Sequence, residues 1–290
     1  MTLNLESDTA KVTINELGAE LSSFILKETC VEYIWQADSH FWGRHAPILF
    51  PFVGRLKNDK YLYKGKVYKM TQHGFARDMM FDVIEKDDSS AILELKSSQK
   101  TLEKYPFEFR LLIGYKLAKN ELIISYDVST LSDEMYFSIG GHPAFNVPLI
   151  KGTKMNDYYL QFAPLKSRTK IPLKGSYIDT SCKTLAQTNT PIQLKHELFK
   201  EDAQILETKG RNTFSILSDK HSHGVIVSYE EFPFVGFWSP NTVEAPFVCI
   251  EPWCGIADDT SSNGKIEDKI GINKLSKGDI FSRSYSINIQ

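Results

Sequence analysis

No stretch of the 290-residue chain approaches the roughly 18 uninterrupted apolar residues of a membrane-spanning helix, because its most apolar segments are broken by Arg, Lys, Glu or Gly. A soluble protein with no membrane partner is expected. Charge of one sign is missing as well. Lys plus Arg total 34 and Asp plus Glu total 36, a formal net charge of −2 with no run of like charge. Nucleic acid and anionic membrane surfaces are therefore not expected partners, whereas small neutral molecules fit this balance. Cysteine is sparse. Cys30, Cys182, Cys249 and Cys254 show no disulfide-scaffold spacing and read as reduced thiols. The opening Met-Thr-Leu-Asn-Leu-Glu-Ser-Asp carries acidic residues where a secretory leader has a basic start and an apolar run, so the expected location is the cytoplasm.

Helical periodicity is scarce too. It is confined to a turn or two near Ser98 to Tyr105 and a better candidate from Leu194 to Leu206. What dominates is alternation with period two. Every second residue is apolar through Phe107, Phe109, Leu111, Ile113, Tyr115 and Leu117, and again after Lys119-Asn120 through Leu122, Ile124, Tyr126 and Val128. That pattern predicts an antiparallel hairpin. Similar strand signals lie at Lys11 to Ile14, Glu20 to Leu26, Ala91 to Leu95, Tyr158 to Phe162, Phe214 to Leu217, Gly224 to Tyr229, Phe247 to Ile250 and Ile280 to Ile289. Many strands and few helices predict an all-β chain, a large antiparallel β-sandwich of two packed sheets. With 42% hydrophobic residues the chain has enough apolar surface for a sizeable core. The polar segment from Lys151 to Pro191 contains strand-like pieces and reads as excursions within one domain spanning residues 1–290.

Four segments carry more chemistry than a plain sandwich requires: Phe52-Val-Gly-Arg55-Leu, Gln72-His73-Gly-Phe-Ala-Arg77, Gly140-Gly-His142-Pro-Ala-Phe-Asn146 and Ile250-Glu251-Pro-Trp-Cys-Gly255. In each, Gly or Pro interrupts a strand-like stretch beside a His, Arg or Glu, as where strand ends present polar groups from a rigid scaffold. A single His next to Gly is more often a turn histidine bonded to backbone. Glu251 is more informative: it follows the apolar run Phe247-Val-Cys-Ile250, and a carboxylate buried there needs a partner or a raised pKa.

In this order the four segments resemble the aldose 1-epimerase family, which is galactose mutarotase-like in fold, and in particular its LacX-like branch. Gly54-Arg55-Leu, Lys64-Gly-Lys-Val-Tyr68 and His73-Gly-Phe are similar to the family's first substrate loop; His142-Pro-Ala-Phe-Asn146 resembles its catalytic histidine motif and Glu251-Pro-Trp its catalytic glutamate motif. The similarity runs from about Gly18 to Asp258. Two departures are Ala144, where many members carry an aromatic, and Trp253, where glutamine is usual. The resemblance implies a supersandwich, a sugar substrate, no metal and no cofactor. It implies His142 and Glu251 as the catalytic acid and base, and His73 as a second histidine that orients the sugar. Arg55 and Arg77 would donate forked hydrogen bonds to hydroxyls or, in the alternative of a hexose 6-phosphate, to a phosphate. Asp202 matches loosely an aspartate that holds sugar hydroxyls, with a solvated charge as the equal alternative. Trp238 is read as stacking on the sugar or as core packing. Nothing in the sequence points to one oligomeric state.

The chemistry agrees with this reading. Anomer exchange removes a proton from the anomeric hydroxyl and delivers one to the ring oxygen, so one base and one acid suffice. With a reference pKa of about 6.5, raised by a neighbouring carboxylate, His142 is expected to be protonated and Glu251 ionised. The two are expected in one open cleft, about a sugar ring's width apart and neither sealed in the core. Three rivals were weighed. His221-Ser-His223 would point the same way on a strand, as in metal-binding cupin sandwiches, but the next glutamate, Glu230, falls too late. A non-catalytic sugar-binding module fits the fold but not the retention of both His142 and Glu251. A retaining glycosidase needs two carboxylates, and only Glu251 qualifies.

Overall fold

The computed structural model describes residues 1–290, and nearly all of its regular structure is antiparallel strand. The central element is the expected hairpin. Phe109–Ala118 pairs with Glu121–Thr130 across a two-residue turn in which Lys119 takes φ 54°. Along Phe109–Ala118 the odd-numbered residues are buried and the even ones point outward. This hairpin lies within a nine-stranded sheet, flanked by Ser90–Lys96 on one side and Ile280–Ile289 on the other, with Val225–Tyr229, Asn212–Ser218 and Tyr158–Ala163 following.

An eight-stranded sheet forms the second layer, with Gln204–Glu207, Phe234–Trp238, Phe247–Cys254 and Ile139–Gly141 at its centre. Rings from the two sheets meet between them: Phe214 and Phe162 of the first stand edge-on to Phe237 of the second, at 5.3 and 5.8 Å between centroids. Such offset aromatic pairs add to the apolar area the sheets bury against each other. Gly141 sits where this contact is tightest, since a Cβ there would lie 2.5 Å from the Tyr285 hydroxyl. A four-stranded sheet, Thr2–Glu6 to Val31–Glu32, adjoins the sandwich.

Of the two helical expectations, one is met. Gln99–Lys104 is an α-helix capped by Ser98, whose side chain accepts from the Thr101 amide while the Thr101 hydroxyl accepts from the Ser98 amide. The other is overturned: the apolar spacing from Leu194 to Leu206 forms a 3-10 turn, His196–Phe199, followed by the strand Gln204–Glu207. Tertiary pairing is the reason. That strand is held on both sides, by Arg168–Ile171 and by Phe234–Trp238, and Asp202 at φ 71° breaks any helix before it. A further difference concerns Phe247–Cys254. The strand does not stop before Glu251 but continues through it to Cys254, every residue buried.

No helix is long and apolar enough to cross a membrane.

Candidate active site

Phe247–Cys254 places its even residues Val248, Ile250 and Cys254 in the core between the sheets and its odd residues Cys249, Glu251 and Trp253 on the opposite face. That opposite face floors a cavity of about 350 Å³. Two glycines on the neighbouring strands make the floor possible. A Cβ on Gly236, opposite Glu251, would lie 2.5 Å from the Trp253 ring, and one on Gly140 2.6 Å from it.

His142 reaches the cavity from the break between Ile139–Gly141 and Ala144–Asn146, where Pro143 interrupts the strand. Its ring is boxed by aromatics: Trp42 stacks on it at 4.9 Å and 28°, while Trp238 and His73 stand edge-on at 5.5 and 5.6 Å. His73 is fixed by backbone. At φ 66° its amide donates to the Gly54 carbonyl and its Nδ1 accepts from the Gly54 amide, which leaves the ring hydrogen on Nε2. Gly74 follows at φ 73°, where a Cβ would strike the Phe50 carbonyl oxygen at 2.3 Å.

All seven residues singled out from the sequence, Arg55, His73, Arg77, His142, Asp202, Trp238 and Glu251, line this one cavity. Their geometry corrects three expectations. His142 Nε2 lies 3.2 Å from Glu251 Oε2, in direct contact rather than a ring's width apart. The groups are also buried, His142 being 7% and Glu251 1% exposed. Contact is compatible with the chemistry because the anomeric hydroxyl and the ring oxygen hang on the same carbon, so the two groups that serve them stand side by side. The third correction is electrostatic. Burial, more than any neighbour, pushes His142 down to about 3, and burial, reinforced by the Asp202 charge, pushes Glu251 well above the usual carboxylate range. Both directions favour the uncharged forms, a neutral imidazole beside a protonated carboxyl, over the expected ion pair. The same cause holds His73 well below its ordinary value.

The arginines are already engaged. Arg55 forks onto Asp59, with Nε and Nη2 at 2.8 and 2.9 Å from the carboxylate oxygens, and Arg77 donates to the Gln72 carbonyl. The Arg55 loop is latched from below: buried Lys269 bonds Asp258, Asp258 accepts from the Lys57 amide, and the Asp258 amide donates to the Arg55 carbonyl. Three buried polar atoms around the cavity have no hydrogen-bond partner, His142 Nδ1, Trp253 Nε1 and Arg77 Nε, and Glu251 Oε2 has only its contact with His142 Nε2. Unsatisfied groups gathered at one cavity mark a place built for a polar ligand.

Sequence reasoning missed Trp42, Gln72, Leu173, Ser176 and Asn241, which also line the cavity, and noted Trp253 only as a departure. Phe41-Trp-Gly43 carried a usable signal, an aromatic pair beside glycine; Leu173 and Ser176 had none. His221 and His223 lie elsewhere. His221 Nε2 is 2.9 Å from the Tyr158 hydroxyl, and His223 Nδ1 is 3.0 Å from the Gln290 carbonyl, so each is spent on local hydrogen bonding.

Comparison with known proteins bears on what the cavity is for. Residues 1–263 match the model of the family described as aldose 1-epimerase. The plasmid-borne protein LacX of Lactococcus lactis subsp. lactis is 33% identical over 303 residues, covering 100% of this chain and 99% of its own length. Among solved structures, a galactose mutarotase related enzyme from Lactobacillus acidophilus is 42% identical with a TM-score of 0.99, covering 100% of this chain and 97% of that one. A galactose mutarotase-like protein from Lactobacillus casei ATCC 334 is 33% identical with a TM-score of 0.92, each chain covered in full.

Proposed function

Because this chain belongs to the aldose 1-epimerase family, we propose that it interconverts the α and β anomers of a free hexose, with His142 and Glu251 sharing the proton transfers. The observation that carries this reading is the buried His142–Glu251 contact at the floor of a cavity with unsatisfied polar atoms.

Ring opening needs the O1–H proton removed, the C1–O5 bond broken and a proton placed on O5; the resulting aldehyde turns about C1–C2 and closes by the reverse steps. The pair holds one proton in total, which is what this exchange requires. Burial favours that proton on Glu251. A bound sugar brings hydroxyl donors to Glu251, solvating the carboxylate and letting the proton pass to His142 across the 3.2 Å contact. Glu251 then takes the O1 proton while His142 serves O5. After rotation the roles reverse. His73 presents its Nε2–H to the sugar, Asp202 and Arg77 hold hydroxyls, and Trp238 with Trp42 offers apolar faces to the ring.

A neutral sugar fits better than its 6-phosphate. Arg55 is neutralised by Asp59, and Asp202 and Glu251 add acidic groups to the same wall. The test is polarimetry with pure anomers of glucose, galactose and their 6-phosphates. Faster equilibration of a free hexose is expected; no acceleration of any sugar would sink the enzymatic reading, and preference for a phosphate would overturn the substrate class.

A further inference from the structure

His142 and Glu251 have a third neighbour that the acid–base chemistry leaves unused. Cys249 stands two residues before Glu251 on the same strand face, a free and fully buried thiol. One ligand atom each from His142, Cys249 and Glu251 lies within 4.8 Å of the other two. Tetrahedral zinc, with bonds of about 2.0–2.3 Å, needs its ligand atoms roughly 3.3–3.7 Å apart. The His142–Glu251 distance of 3.2 Å lies about 0.1 Å short of that range, and the Cys249 sulfur, within 4.8 Å of both, has about 1 Å to close by side-chain rotation. We propose that His142, Cys249 and Glu251 form an inhibitory site for a borderline-soft divalent cation of the zinc class. Two of its three ligands, His142 and Glu251, line the sugar cavity, and Cys249 lies buried behind them.

The donor set carries the argument. Imidazole, thiolate and carboxylate are the ligand types that zinc takes together, and the two anions balance the cation's charge in a buried place. Glu251 Oε2 has only its contact with His142 to give up, and both residues are ligands of the site. Entry is through the cavity, which His142 and Glu251 both line. When the metal binds, the Cys249 thiol proton and the Glu251 carboxyl proton both leave to solvent and no electron is transferred. The arrangement also shows why the ion acts as an inhibitor and not as a resident cofactor. A resident metal's histidine donates its far nitrogen to a carboxylate or carbonyl, and His142 Nδ1 has no such partner. Its two best ligands are also the two groups that move protons. The inhibitory part therefore rests on the acid–base reading above, whereas binding does not.

Cobalt(II) is the probe, because a thiolate-to-cobalt charge-transfer band reports binding without any assay of turnover. Titrating the full chain with Co²⁺ is expected to give that band at one equivalent, bleached by Zn²⁺ and suppressed by saturating hexose. Cys249→Ala is expected to lose the band, keep metal-free anomerisation, and require at least tenfold more Zn²⁺ for half inhibition. A Cys30→Ser/Cys182→Ser double variant, altering the exposed cysteines, is expected to keep the band and serves if Cys249→Ala misfolds. Absence of the band, or its survival in Cys249→Ala, overturns the site. A band with turnover unchanged overturns the inhibition and the acid–base pair together. Activity lost to a chelator and restored by Zn²⁺ would make the ion a cofactor and overturn its inhibitory role.

Discussion

The hairpin Phe109–Thr130 and the strand Phe247–Cys254 obey the same alternation, yet they serve opposite ends. Each sends every second side chain into the core between the sheets. In the hairpin the other residues face outward and most are polar or small, among them Arg110, Lys116 and Asp127. In Phe247–Cys254 the other face is roofed by the loops that bring Trp42, His73 and His142, so Glu251 is as hidden as Ile250. A strand with one wet face spends its sequence on stability. One covered on both faces can carry a carboxylate in an unfavourable place, where burial changes its proton affinity and so gives it a chemical use.

The sharpest way to break this contrast is Glu251→Gln. The amide keeps the shape but neither accepts nor donates the proton, so turnover is expected to fall at least ~10²-fold. Thermal stability should be no lower than wild type, because the amide keeps the shape of a buried carboxyl and removes the cost of holding a titratable group there. Polarimetry beside a melting curve checks both halves; a destabilised variant with intact turnover would make Glu251 a structural residue. The reverse pattern is expected in the hairpin. Ile113, fully buried, should cost about 2–5 kcal/mol on Ile113→Ala, through lost transfer energy and the cavity left behind. The folded fraction should turn over sugar as wild type does, with urea unfolding and initial rates as the measurements.

A smaller effect concerns pH. Folding lowers His142 from 6.5 to about 3, so its contribution to stability is present above 6.5 and is lost as pH falls toward 3, where the unfolded chain takes up a proton that the folded one refuses. Glu251 runs the other way. Its raised affinity contributes stability below 4.5 that is lost as pH rises through its elevated value. His142→Gln should accordingly flatten the decline in urea midpoint between about 6.5 and 3. An unchanged slope would mean that His142 is protonated in the folded protein.

Much of this was legible before any coordinates. The hairpin register, the strands Glu20–Leu26 and Ile280–Ile289 and the sandwich class follow from alternation, and Arg55, His73, Arg77, His142 and Glu251 come from ordered motifs, whereas for Asp202 and Trp238 the sequence left a structural role equally open. Where the reading failed, a long-range partner had decided. Leu194 to Leu206 has helical spacing, but Gln204–Glu207 lies between two strands from elsewhere in the chain, and pairing outweighs a local pattern. Leu173 and Ser176 are pocket residues only because the segment holding them folds over the sheet, its Ile178 amide bonded to the Asp258 carbonyl.

Local order is a matter of near neighbours, and the sequence by itself determined it: which residues alternate, where strands turn, which side chains bear chemistry. Proton affinity and contact distance are properties of an environment assembled from remote segments. That His142 touches Glu251, and that burial favours their uncharged forms, was decided only by the packing of Trp42, Trp238 and His73 around His142, because the cost of a charge depends on what surrounds it and not on its place in the chain.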